Sequence, residues 1–417
     1  MPAMSATAQS EAAAADANSA RRRSIGFLNW AHFLDHYVIL IFPTVVIGLE
    51  AAYGRSYGDL LMLSTAAFTA FGLFALPCGW LAENWSRRNM MAIYFVGTGV
   101  SAIAVGLAPD FTTLAIALLA VGIFAAIYHP VGTPMVIDSA VNRGRTMALN
   151  GLCGNIGVSI AAGVTAVITS RFGWQYAFFV PAALFIVTGI FYLLFVPDDR
   201  RRQTPKMTSN DVKLDKRTMI AVIALFMALA LSSGLVFNAL TITLPKIVDA
   251  RIGRDFPLAV VGMLATAVFL CGGAAQLFIG RAVEVIAPHI LVVAVAIIQL
   301  LGVVWLTYAT GWPLLIALAV AIAAVYAQVT VNDFVLARYT PPAWRGRIYA
   351  FRFFLIFTSA GPAVWGIGRL YDHGGFDLVL FVTAVIAAIY AVNSLAITWL
   401  VASVEGRRTR GAEMPAE

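Results

Sequence analysis

The chain has 417 residues, 60% of them apolar and only 12% charged, with a mean hydropathy of +0.84; soluble domains carry roughly 25% charge and 45–50% apolar residues. That excess excludes a water-soluble enzyme and a disordered chain, and the three cysteines Cys78, Cys153 and Cys271, all in apolar stretches, exclude a secreted disulfide scaffold. The net charge of +7 would suit nucleic acid, but its placement along the chain gives it another role.

Residues 1–24 are small and polar and read as a disordered cytoplasmic tail ending in Arg21, Arg22 and Arg23. The apolar run that follows, 25–49, exceeds the ~7–15 residues of a signal-peptide core and reads as a retained anchor. A helix needs about 20 apolar residues to cross a ~30 Å hydrocarbon layer. Charge clusters and Gly/Pro punctuation then divide the chain into spans at 25–49, 58–83, 90–108, 112–138, 145–170, 174–196, 218–245, 257–282, 289–309, 312–338, 346–371 and 376–401. The expected fold is therefore all-α, with twelve transmembrane helices. The polar stretch 197–217 separates a bundle at 25–196 from one at 218–402, and 403–417 forms a C-terminal tail. With both termini cytoplasmic, 21 of the 28 Lys and Arg fall inside. That bias orients the chain and accounts for its positive charge without nucleic acid.

The halves match each other at an offset of 201–202 residues. Pro43 aligns with Pro245, Gly79 and Glu83 with Gly280 and Glu284, Arg143-Gly144-Arg145 with Arg345-Gly346-Arg347, and Gly173 with Gly375. A constant register over polar residues points to duplication. Two such bundles around a midplane site is the plan of rocking carriers. At this point the chain resembles the major facilitator superfamily over residues 25–402. After span 2 that family carries G-x-x-x-D-R-x-G-R-R. Here Gly79, Arg87 and Arg88 fit, Glu83 stands for the Asp, Asn84 for the first Arg and Ser86 for the second Gly. The resemblance implies gating roles for Gly79, Glu83, Arg87, Arg88, Arg143, Arg145, Gly280, Glu284, Arg345 and Arg347. A carboxylate at such a helix end can bond a neighbouring helix N-terminus and loop arginines.

Ionisable groups inside spans cost about 2.5–3.5 kcal/mol each at the centre and default to function. In span 1, Asn29, His32, Asp35 and His36 share one helical face. Span 4 carries Tyr128 and His129, and span 5 Asn155; span 7 carries Asn238; span 10 carries Tyr326, Gln328, Asn332 and Asp333, and span 11 Arg352. At ~1.5 Å per residue, His32, Asp35 and His36 lie roughly 10–16 Å deep, near His129 and Asn155. Asp333 and Arg352 lie at about 8 and 10 Å, close enough to pair. A lone arginine there would favour an anionic substrate, whereas a pair could simply fix two helices.

The resemblance places spans 1, 4, 7 and 10 around a central cavity. It implies that Asn29, Tyr128, Asn155, Asn238, Tyr326, Gln328, Asn332, Asp333 and Arg352 contact a small-molecule substrate. Asp35, His32, His36 and His129 are the expected proton-coupling groups, because imidazole and carboxyl groups can accept protons on one side and release them on the other. No nucleotide-binding G-x-x-x-x-G-K-[ST] offers another energy source.

Two segments resemble the fosmidomycin-resistance type of bacterial efflux carrier. One is His32-Phe33-Leu34-Asp35-His36, where that family often has His-Phe-x-Asn-Asp. The other is His129-Pro130 with the Gly154-Asn155-Ile156-Gly157 step beyond it. Gly154 and Gly163 also resemble the glycine-rich antiporter motif. The expectation is a monomeric, proton-coupled exporter in a bacterial inner membrane, with small-molecule substrate, protons and lipid bilayer as partners and no cofactor. A proton symporter for an organic anion is the alternative. A transition-metal carrier is a third reading, drawn from the histidines at one depth, although no metal ligand set is assigned. No H-E-x-x-H box or nucleophile–base pair supports an enzyme.

Overall fold

Side chains that meet only lipid and one another need every backbone polar group satisfied within the segment, so the chain folds as helices. The computed structural model describes the backbone of residues 6–197, 216–252, 256–339 and 342–412, and side chains over 18–197, 220–221, 223–252, 256–336, 348 and 351–400. Among these there are helices and no strand. The tail at 1–5, most of the 197–217 linker and the last residues of the C-terminal tail lie outside the described residues.

Among the described residues, ten helices are long and apolar enough to cross a membrane. They include Asn18–Tyr53 (span 1), Arg87–Gly106 (span 3), Phe111–Ser139 (span 4), Arg143–Phe172 (span 5), Tyr176–Phe195 (span 6), Ile223–Arg251 (span 7), Leu258–Val285 (span 8), Pro288–Tyr308 (span 9) and Pro313–Leu336 (span 10). Span 2 is Tyr57–Leu73 plus Ala75–Asn84, bent by 40°. The tenth helix, Phe351–Leu400, has 50 residues, about 75 Å at 1.5 Å per residue, too long for one crossing. It breaks at Gly374 (φ −151°) and Gly375 (φ 61°, ψ −159°), which separates span 11 from span 12 and brings the crossings to twelve.

The first helix begins at Ala6, so the segment expected to be a disordered tail is helical over 6–24; its run of alanines has high helix propensity. Span 7 extends past Pro245 to Arg251, six residues beyond the boundary that the proline suggested. Within span 1 the helix interrupts at Leu40, whose N–H reaches back to Tyr37 O at 3.3 Å. Pro43, which cannot donate to residue 39, explains the break. Side-chain oxygens of Ser56, Ser86, Asp110 and Asn142 cap the starts of spans 2, 3, 4 and 5 by accepting the N–H of the residue three on. The Thr113 hydrogen bonds hold the Asp110 carboxyl below the usual carboxylate range.

Gly173 (φ 96°, ψ 158°) and Gly375 (φ 61°, ψ −159°) occupy the same glycine-only region of backbone space. The two aligned glycines thus turn the chain into spans 6 and 12 in the same way.

Across the halves, spans 5 and 8 pack together, as do spans 2 and 11. One continuous apolar core joins the first bundle to the part of the second that lies away from the termini, including Val248, Val261, Phe269, Val364 and Phe376. Toward the terminal face the second bundle has its own core, built on Phe226, Leu291, Val331, Tyr390 and Ile397. Three of the polar contacts between halves follow the same division. Lys246 donates to Glu50, Ser56 Oγ donates to Asp372 at 2.7 Å, and Gly163 N–H donates to Thr266 Oγ1 at 3.0 Å. These three lie at the opposite face or in the half of the molecule nearest it, whereas Asn155 donates to Gln276 across the halves on the terminal side of mid-span.

Candidate functional site

Span 4 carries Pro130 and Pro134, and the helix loosens into a π turn over Tyr128–Gly132. A proline in a span removes one backbone donor, and π turns recur where a side chain must be re-aimed. Here the side chain is His129, turned toward the face of span 1 that bears His32 and His36. Ring centroids are 4.9 Å apart for His32–His36, 5.4 Å for His32–His129 and 5.4 Å for His36–His129. One nitrogen from each ring lies within 4.8 Å of the others.

Asp35 sits behind the rings, fully buried. Its Oδ2 is 3.5 Å from His129 Nε2, yet neither carboxyl oxygen nor that nitrogen has a hydrogen-bond partner. His32 is fixed more firmly. Its Nδ1 is 2.7 Å from the Asn150 carbonyl; a carbonyl can only accept, so Nδ1 carries the proton and Nε2 is left with a lone pair. Its ring stacks on Tyr128 at 4.8 Å, and Gly154 gives the space in which it lies, since a Cβ there would come within 2.7 Å of Nε2. Asn150 Nδ2 also bonds Asn29 Oδ1 (3.0 Å) and Tyr128 Oη (2.9 Å). Asn29 and Tyr128 therefore belong to a buried network that supports the histidines.

Phe357 of span 11 is 4.6 Å from His129 and Phe71 of span 2 is 6.0 Å from it, the two phenyl rings being 5.2 Å apart. The opposing half thus rests an aromatic ring on the cluster.

The remaining predicted residues are spread more widely. Asn155 donates to Gln276 of span 8, whose Nε2 donates to Thr330 at 3.1 Å, so Asn155 bridges the halves instead of joining the histidines. Asn238, Tyr326 and Gln328 are buried with Nδ2, the hydroxyl and Oε1 respectively lacking a hydrogen-bond partner; Gln328 Nε2 reaches Ser233 O at 3.3 Å. Asn332 accepts from Tyr390 of span 12 at 3.1 Å, a tie within the second bundle. Arg352 is buried and donates to Asp333, which is 41% exposed. The guanidinium is therefore not the lone cation that would by itself favour an anionic substrate.

At the terminal face, Arg87 pairs with Asp138 at 2.7 Å and Arg88 donates to the carbonyls of Val196 (2.5 Å) and Leu193. Gly79 packs against Pro130. Glu83 is exposed and makes no hydrogen bond or ion pair to another described residue; the acid that meets the loop arginine is Asp138. Asn142 caps Arg145 N–H, and Arg145 and Glu284 are exposed while Arg143 and Gly280 are half-buried. The side chains of Arg345 and Arg347 lie outside the described residues.

Sequence reasoning missed Asn150, Phe71, Phe357, Gln276 and the Lys246–Glu50 pair. Asn150 had a signal, an amide five residues before Asn155 in an apolar helix. The phenylalanines had none among 27 in the chain.

The family model described as Major Facilitator Superfamily matches residues 25–253. The puromycin resistance protein pur8 of Streptomyces alboniger is 29% identical over 156 residues, 36% of this chain and 29% of that one. The probable L-galactonate transporter of Escherichia coli (strain K12) is 25% identical over 159 residues, 37% and 34% of the two chains. The matched segment is thus about a third of the length of these relatives. Among solved structures, a bacterial homologue of the human lysosomal transporter Spinster, inward-facing and unoccupied, superposes with a TM-score of 0.71 at 14% identity, covering 92% of this chain and 98% of the other. A D-xylose-proton symporter gives 0.69 at 15% identity, with 89% and 96% covered. The chain belongs to the Major Facilitator Superfamily, a family of membrane transporters and not of enzymes.

Proposed function

We propose that this member of the Major Facilitator Superfamily is a proton-coupled antiporter that exports a small organic solute by alternating access. The observation that carries the reading is Asp35, wholly buried, with neither carboxyl oxygen hydrogen-bonded and His129 Nε2 3.5 Å away. An unpaired carboxylate in such a place costs several kcal/mol. Its proton is therefore gained or lost according to which conformation surrounds it. Phe357, brought by the other half onto His129, supplies the contact through which proton state and rocking motion act on each other.

In this reading the termini are cytoplasmic, as the basic residues favour, and the protein acts as a monomer in a bacterial inner membrane. The split cores at the terminal face and the shared core at the other then correspond to an inward-open state. Protonation from the outer side neutralises the cluster, and the halves rock; deprotonation to the cytoplasm resets it. Export of an antibiotic-like compound is supported by the fosmidomycin-resistance resemblance around His32 and His129, and by the relative named for puromycin resistance.

A second reading, proton symport of an organic anion, draws on Arg352. Its partner Asp333 is the more exposed member of the pair, so a substrate carboxylate can replace it at the guanidinium. The relative named as a probable L-galactonate transporter and the likeness to a proton symporter accord with this reading.

Both readings meet one experiment. Purified protein in proteoliposomes, given an imposed pH gradient and a panel of labelled compounds, should move one class against the proton flow for antiport and with it for symport. Asp35→Asn should abolish the gradient-driven component while leaving exchange without a gradient. Full gradient-driven transport in that variant would refute the coupling role.

A further inference from the structure

The geometry points to a divalent transition-metal site formed by His32, His36 and His129, for an ion of the Zn²⁺ class with its fourth position open. Tetrahedral zinc with bonds of ~2.0–2.1 Å holds its ligand atoms about 3.4 Å apart. Asp35 Oδ2, 3.5 Å from His129 Nε2, places a carboxyl group beside the three rings. The imidazole nitrogens lie within 4.8 Å of one another, so closing the triangle moves each inward by roughly 0.8 Å, within the reach of a side-chain torsion.

Three further features fit a metal better than packing. His32 Nδ1 donates to the Asn150 carbonyl, the outer-shell bond that orients a ligating imidazole and leaves Nε2 to bind. The His129 Nε2 is buried with no hydrogen-bond partner, which is costly unless something takes up its lone pair. The ligand set, three imidazole nitrogens, suits zinc, cobalt, nickel or copper and not magnesium or calcium. All three rings come from spans 1 and 4, so the site is assembled within one half and needs no rocking to form. The three rings are partly exposed while Asp35 is closed off behind them, which leaves an approach over the rings.

The metal would occupy the same lone pairs as the coupling proton, so ion and proton would exclude one another; that consequence rests on the coupling reading, whereas binding itself does not. The test uses detergent-purified full chain. Titration with Co²⁺ should give one saturable equivalent with the intense visible absorption of a tetrahedral ion, displaced by Zn²⁺ and unaffected by excess Mg²⁺. His36→Gln and His129→Gln, checked as monodisperse and helical, should each weaken binding at least tenfold. His289→Gln/His373→Gln, which removes the other two histidines, should leave it intact. An absent Co²⁺ spectrum in the wild-type protein, or unchanged affinity in the His36 and His129 variants, would overturn the site. Neither result bears on coupling, which Asp35→Asn in the pH-gradient assay decides separately.

Discussion

Gly154→Ala probes the site with the smallest possible change, one methyl group. A Cβ at that position would lie 2.7 Å from His32 Nε2, 2.8 Å from Cε1 and 2.9 Å from Cδ2, where carbon contacts settle at about 3.5–4.0 Å. The ring must therefore retreat by nearly an ångström, and it has little freedom to do so. Its Nδ1–H is bonded to Asn150 O at 2.7 Å, and its faces are taken by Tyr128 at 4.8 Å and His36 at 4.9 Å. Overpacking of this kind costs about 1–3 kcal/mol; losing the Asn150 hydrogen bond adds about 1 kcal/mol, and the better helix propensity of alanine returns up to about 1 kcal/mol. The net expectation is a loss of about 1–3 kcal/mol. It should appear as a lowered midpoint in thermal unfolding of the detergent-purified protein, with gradient-driven transport reduced in proportion to the displaced histidine. His32→Ala should relieve the clash, so the double variant should lose less stability than the two single changes summed. An unchanged midpoint with unchanged transport in Gly154→Ala would show that the two helices do not meet through this ring.

The Arg352–Asp333 pair should respond asymmetrically. Asp333→Asn leaves a buried guanidinium without its anion and should cost about 3–5 kcal/mol, whereas Arg352→Met leaves a carboxylate that is 41% exposed and should cost less; equal losses in thermal unfolding would contradict the burial described. Lys246 holds Glu50 across the halves and Asp249 (2.8 Å) on its own helix, so Lys246→Met should open the face away from the termini. Spin labels at Tyr53 and Phe256 should then report a longer distance population, and an unchanged distribution would remove the pair from the closed gate. Gly173→Ala and Gly375→Ala should each cost about 1–3 kcal/mol because alanine resists their backbone angles, while Gly366→Ala, whose Cβ meets open space, should be neutral by the same unfolding measurement.

Much of the architecture was legible because lipid imposes a length. Twelve apolar runs, the break between spans 11 and 12 and the matched glycines at 173 and 375 all follow from composition and spacing. What escaped was rotation and curvature. A helix apolar on every side gives no amphipathic signal for which face meets which neighbour, so Asn155 could not be told from Asn150 as the partner of the histidines. The bend at Phe74 and the π turn over Tyr128–Gly132 depend on what the helices pack against. The Lys246–Glu50 contact joins residues 196 apart in sequence. In the candidate site, the face shared by His32, Asp35 and His36 was readable from helical spacing. The aromatic contact from Phe357 was not, because one phenylalanine among many carries no distinguishing pattern.

All four ionisable groups of the cluster belong to spans 1 and 4, and the opposing bundle touches them through a hydrocarbon ring. Under the coupling role proposed for that cluster, energy transduction and cargo recognition can diverge separately. Substitutions in the second bundle can retune what is carried without disturbing the charged apparatus, provided a flat apolar group still stands at position 357. A chimera that kept residues 25–196 and borrowed its second bundle from a relative should inherit the donor's cargo and keep its own driving ion.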